Sequence, residues 1–157
     1  SLYTGKIGFM VARHGREDYA ELFLCLLGNY IGASLTGLAV AAATPARRTR
    51  AAEICTAKLE IPFLSVFFLA LFCGILVYLA VVIYREKQNV LGILFCIPTF
   101  ILAGFEHSIA DMFYFAASGI LSPRAFLFIL VVILGNTAGG MLIPALRLLM
   151  SGVRQYV

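Results

Sequence analysis

AGFEHSIADMF, residues 103–113, sets three ionisable side chains, Glu106, His107 and Asp111, inside an otherwise apolar run from Val90 to Pro123. Val90 to Phe105 makes a helix of only about 24 Å, too short to cross a hydrocarbon core of about 30 Å without tilting. Met112 to Leu121 is shorter still. The two pieces read as one crossing over residues 90–121, broken near 104–111. A break at that depth survives only where protein or trapped water satisfies the backbone groups it frees.

Composition sets the solvent around this run. Of 157 residues, 62% are hydrophobic and 13% charged, whereas a soluble domain is about half apolar and about a quarter charged. Three further segments, Leu22 to Ala43, Ile61 to Tyr84 and Ala125 to Leu146, carry no charge, and each is long enough to span at about 1.5 Å per residue. The last is expected to continue to residue 150. None reads as a signal peptide, because such segments recur along the chain without a basic start and a cleavage site. The expectation is an all-α multi-span protein of the cell membrane, one domain over residues 1–157, with the lipid bilayer as its surroundings.

The first residues repeat the break in short form. Ile7 to Ala12 is apolar for a couple of turns only, so residues 5–12 read as a half-helix. The chain is expected to begin inside a broken helix, with segments missing upstream. Gly28-Asn29-Tyr30-Ile31-Gly32-Ala33 and Gly135-Asn136-Thr137-Ala138-Gly139-Gly140 share a GNxxG pattern, and each follows a partial helix by a similar interval. The intervening crossings turn the second copy upside down relative to the first. Such inverted repeats place a solute site near the midplane of transporters and pores. The glycines are expected to let helices pack closely, while Asn29 and Asn136 need polar partners.

Charge separates two faces weakly. Arg13, Arg16, Arg85, Lys87, Arg147 and Arg154 fall on one side, and Arg47, Arg48, Arg50, Lys58 and Arg124 on the other, which favours the first as cytoplasmic. The Arg47–Arg50 cluster is expected in a short loop without interleaved aromatics, so nothing points to nucleic acid. His14 is expected in a solvated loop. Cys25, Cys55, Cys73 and Cys96 form no metal spacing and read as small apolar packing residues. No cofactor or metal is implied. Pro98 and Pro144 are expected to kink their helices, and Pro45, Pro62 and Pro123 to mark span ends.

GFEHSIADMFYF, LGNTAGGM and LFCGILVYLAV together resemble the formate/nitrite transporter family, most closely its hydrosulfide-type and clostridial branches, over a range from Leu2 to the end. The resemblance implies a homopentamer of six-helix protomers with an aquaporin-like inverted repeat, helices two and five broken, and a pore for small monovalent anions in each protomer. Helix one and the first half of helix two are then absent from this chain. By the same resemblance His107 is the pore histidine and Thr4 the threonine opposite it. Phe100, Leu2 and Tyr3 match apolar constrictions, Lys58 a lysine near the outer vestibule, and Asn136 an asparagine supporting the histidine. Two residues depart from the family: Gly74 stands where a second supporting asparagine is common, leaving His107 freer or wetter, and Asp111 where asparagine is usual.

The residue chemistry fits that placement. Histidine titrates near pH 6.5, within a cell's working range, so His107 can donate a hydrogen bond or a proton to the anion of a weak acid, lowering the cost of a bare anion in hydrocarbon. Lys58 is expected to gather anions, and Glu106 to cap the second half-helix by accepting its N–H groups. The rival readings are an intramembrane enzyme built on Glu106, His107, Ser108 and Asp111, and a purely structural subunit of a membrane complex. Neither explains a histidine at a helix break without further metal ligands or a nucleophile–base pair.

Overall fold

The computed structural model describes residues 2–11 and 15–153, with side chains to residue 150. Arg13, His14 and Arg154, placed in a loop and a tail by the sequence, lie outside the described residues, as does the end of the 5–12 half-helix at Ala12. Among the described residues every regular element is a helix: α1 (Tyr3–Lys6), a 3₁₀ helix (Ile7–Val11), α2 (Arg16–Ala43), α3 (Pro45–Leu59), α4 (Phe63–Lys87), α5 (Leu91–Leu102), α6 (Ser108–Ser118) and α7 (Pro123–Val153).

Three of these, α2, α4 and the Pro123–Met150 part of α7, are long and apolar enough to cross a membrane. α2 starts earlier than its apolar stretch because Glu17 and Asp18 suit the positive end of a helix; Asp18 also accepts from the Gly15 N–H at 2.9 Å. α4 ends at Gln88, which takes a left-handed conformation at φ 51°.

The connection after α2 is a correction to the sequence reading. Arg47, Arg48 and Arg50 lie in α3 rather than a short loop. Pro45 at its first position has φ already fixed for a helix, alanines and arginines propagate it, and Ala51 and Cys55 give it a buried face. Arg50 pairs with Glu53 at 2.8 Å, one turn on.

α4 and α7 form the centre of the molecule. Gly135 and Gly139 of α7 meet the backbone of α4 so closely that an added Cβ at Gly135 would stand 2.7 Å from the Phe67 carbonyl oxygen. Where lipid is as apolar as leucine, helices gain by this close backbone packing rather than by expelling water. Around the crossing, Cys55, Val66, Ala70, Phe115, Phe128 and Val132 join α3, α4, α6 and α7 in one buried cluster.

One end of the bundle gathers the last residues of α4, α7 and the 3₁₀ helix. Arg85 lies over the Phe9 ring at 4.5 Å, and Arg147 donates to Glu86 at 3.3 Å. At the opposite end Arg124 donates to the Leu59 carbonyl at 2.7 Å. α2 therefore runs toward the second end and α7 away from it, so the two GNxxG helices are antiparallel.

Candidate functional site

α5 stops because Gly104, at φ 69°, leaves the helical region, and the chain stays non-helical until Ser108. The break thus covers residues 103–107, and Asp111 falls inside the first turn of α6. Asn136, fully buried in α7, satisfies the freed backbone. Its Oδ1 accepts from the Ser108 N–H at 2.9 Å, and its Nδ2 donates to the Glu106 carbonyl at 2.9 Å and to the Ala70 carbonyl at 2.8 Å. One side chain therefore clamps the peptide groups on both sides of His107.

His107 is the residue that caps α6. Its backbone is extended, at φ −117° and ψ 116°, and its Nδ1 accepts from the Ala110 N–H at 3.4 Å. An imidazole accepting at Nδ1 carries its proton on Nε2. That nitrogen lies 3.1 Å from the Thr4 hydroxyl of α1. The Phe100 ring stacks on the imidazole with centroids 5.5 Å apart and planes 17° from parallel. Residues over a hundred positions apart in the chain thus meet where the two half-helices begin.

The start of α1 is held in the same way as the start of α6. Leu2 caps α1 in an extended conformation, and the Tyr3 N–H donates to Asn29 Oδ1 at 2.8 Å. Leu2 and Tyr3 correspond to His107 and Ser108. The correspondence was legible in the GNxxG repeat; the partners of its two asparagines were not.

Two expectations need correction. Glu106 does not cap α6, since His107 occupies that position; its carboxylate is hydrogen-bonded to the Lys58 ammonium. Lys58 is not a free cation in a vestibule. It reaches inward from the end of α3 to Glu106 and, at 3.0 Å, to Asp111 Oδ1, with its side chain 18% exposed. Tyr3 is buried. Its hydroxyl is 2.7 Å from Thr137 Oγ1, and it packs with Ile7 and Leu22.

Gly74 resolves differently from the sequence reading. A Cβ there would lie 2.9 Å from the Gly140 nitrogen and against the Asn136 carbonyl, so the α7 backbone occupies the place where an asparagine side chain would stand. Leu2 is half-exposed.

Sequence reasoning missed Thr137 as the anchor of Tyr3 and Asp111 as a partner of Lys58. The second had a signal. Two carboxylates and one lysine near a single break in an apolar chain have few other places to pair.

The sequence model of the formate/nitrite transporter family matches residues 2–150. No curated protein matches the chain by sequence. Among solved structures, one described as an FNT family ion channel aligns with a TM-score of 0.81 at 26% identity, over 96% of this chain and 68% of that one.

Proposed function

Since the chain belongs to the formate/nitrite transporter family, a family of multi-pass membrane transporters rather than enzymes, and carries anions through a channel, we propose that its cargo is the small monovalent anion of a weak acid: formate, nitrite or hydrosulfide. The observation that carries this reading is the contact of His107 Nε2 with Thr4 Oγ1 at the meeting point of two broken helices. An N–H and an O–H held there can replace part of an anion's hydration where water is scarce.

His107 and Thr4 are the solute-facing donors in this reading. Asn29 and Asn136 hold the two breaks, and Gly74 allows α7 to approach α4. Phe100, with Leu2 at the head of α1, forms the apolar constriction that excludes larger or more strongly hydrated solutes. Lys58 fixes Glu106 and Asp111 instead of collecting anions. Each protomer holds its own pore, and the assembly is a homopentamer.

Stopped-flow flux into liposomes, comparing formate, nitrite, hydrosulfide, lactate and chloride between pH 5 and 8, tests the cargo. Weak-acid anions are expected to permeate faster as pH falls, and chloride not at all. Chloride flux equal to formate flux at every pH contradicts the reading.

A further inference from the structure

The Lys58 ammonium serves two carboxyl groups, Glu106 through a hydrogen bond and Asp111 at 3.0 Å. The Glu106 and Asp111 side chains are 4% and 2% exposed. With all three groups ionised the cluster carries one negative charge in excess.

Among the described residues nothing packed around it cancels that charge. α2, α3 and α7 pack on α6. Of the charged residues of α3 only Lys58 reaches the cluster: Arg48 lies against Gly119 at the far end of α6, and Arg50 pairs with Glu53; α3 also brings Cys55 and α4 brings Cys73, both buried. α7 presents the Phe128 ring, 5.8 Å from Lys58 Nζ, and has no charged residue between Arg124 and Arg147. The charged residues of α2 end at Glu21. His107, next to Glu106, is engaged with Thr4 and the Ala110 N–H.

A second observation concerns hydrogen atoms. Asp111 Oδ2 and Ser108 Oγ are both buried without a hydrogen-bond partner, three residues apart and hence on one face of α6. An ionised carboxylate only accepts, whereas a protonated carboxyl also donates. A buried like-charge pair relieves itself by keeping one proton, because an uncompensated buried charge is costly.

We propose that Asp111 is the proton-binding site of this cluster, its unpartnered Oδ2 holding one proton at neutral pH, distinct from any proton handled by His107. Occupied, the site makes the cluster neutral. Emptied, it leaves a negative charge beside the histidine, so anion flux through the pore proposed above falls as pH rises. Only this consequence rests on that pore reading.

Infrared difference spectroscopy of the full chain in phosphatidylcholine liposomes tests the proton directly. The other six carboxyl side chains, Glu17, Asp18, Glu21, Glu53, Glu60 and Glu86, are exposed or half-exposed to solvent, and only Glu106 and Asp111 are buried. A deuterium-sensitive protonated-carboxyl band at pH 7 can therefore arise only at Glu106 or Asp111. The expected result is one such carboxyl per chain, lost in Asp111→Asn, where one carboxylate faces one ammonium. Absence of the band from the unsubstituted chain at pH 7, or its persistence in Asp111→Asn, overturns the proposal. Formate flux at pH 8 is expected to rise severalfold in Asp111→Asn. If the band behaves as expected while flux stays unchanged, the proton site stands and the pore reading fails.

Discussion

The two GNxxG helices do the same work with their asparagines and opposite work with their glycines. Asn29 in α2 and Asn136 in α7 each accept the backbone N–H of the residue just after a break, at 2.8 and 2.9 Å. Gly135 and Gly139 are pressed onto α4, yet an added Cβ at Gly28 or Gly32 would meet nothing within 4 Å. The asparagine is dictated by the break, which every copy of the repeat must satisfy from within. The glycine is dictated by whichever helix lies alongside, and α2 meets the α6 backbone through Gly37, where an added Cβ would stand 2.5 Å from the Phe113 carbonyl oxygen, rather than through Gly28 and Gly32.

The breaks differ in a second respect. The second carries the buried Lys58–Glu106–Asp111 cluster; the nearest counterpart at the first is the exposed pair of Lys6 and Glu21. Removing one partner from a buried cluster costs about 3–5 kcal/mol, while an exposed pair contributes little. Lys58→Ala is therefore expected to lower the melting temperature of the detergent-solubilised protein strongly and to abolish flux at low and high salt alike. Lys6→Ala should leave the melting temperature unchanged. Full flux of Lys58→Ala at high salt would restore an anion-gathering role, which salt screens within about 8 Å at physiological strength.

Next in size is the asparagine pair. Asn136→Ala strands the Ser108 N–H and two carbonyls, and at about 1–3 kcal/mol for a stranded buried group thermal melting should show a loss of several kcal/mol. Asn29→Ala should cost less, because α2 is the less buried helix. Equal losses would mean that the two repeats are equally enclosed.

The glycines sharpen the comparison further. Gly139→Val forces a side chain onto the α4 backbone, and overpacking of that kind costs about 1–3 kcal/mol. Gly32→Val enters open space and should leave thermal melting of the solubilised chain unchanged. A destabilised Gly32→Val would show that α2 is covered as tightly as α7.

The last effect, at Phe100, is read in flux rather than in stability. Phe100→Ala should raise formate flux and admit lactate if the ring closes the path. Unchanged selectivity with lower expression would assign it to packing alone.

Much of this was legible in residue patterns. The three long spans follow from charge-free runs, and the broken crossing from a run too short to span and interrupted by Glu106, His107 and Asp111. The repeat of Gly28-Asn29 and Gly135-Asn136 announced two matched breaks. Other features depended on three-dimensional approach. The helicity of Pro45–Leu59 was obscured by its four cationic residues, although its alanines and Pro45 favour a helix. The resemblance placed Tyr3 at a constriction, and only the three-dimensional proximity of Thr137, 134 positions away, shows what its hydroxyl meets. The partners of Lys58 lie 48 and 53 positions away, a distance over which spacing along the chain conveys nothing about contact.

His107→Phe, reconstituted in liposomes and verified as folded by its melting profile, tests the central claim most directly. The substitution keeps an aromatic ring to stack against Phe100 and removes both nitrogens, including the Nε2 that meets Thr4. The account predicts assembly close to that of the unsubstituted chain with loss of pH-dependent formate and hydrosulfide flux; folded His107→Phe protein carrying both at the original rate and pH profile would contradict it.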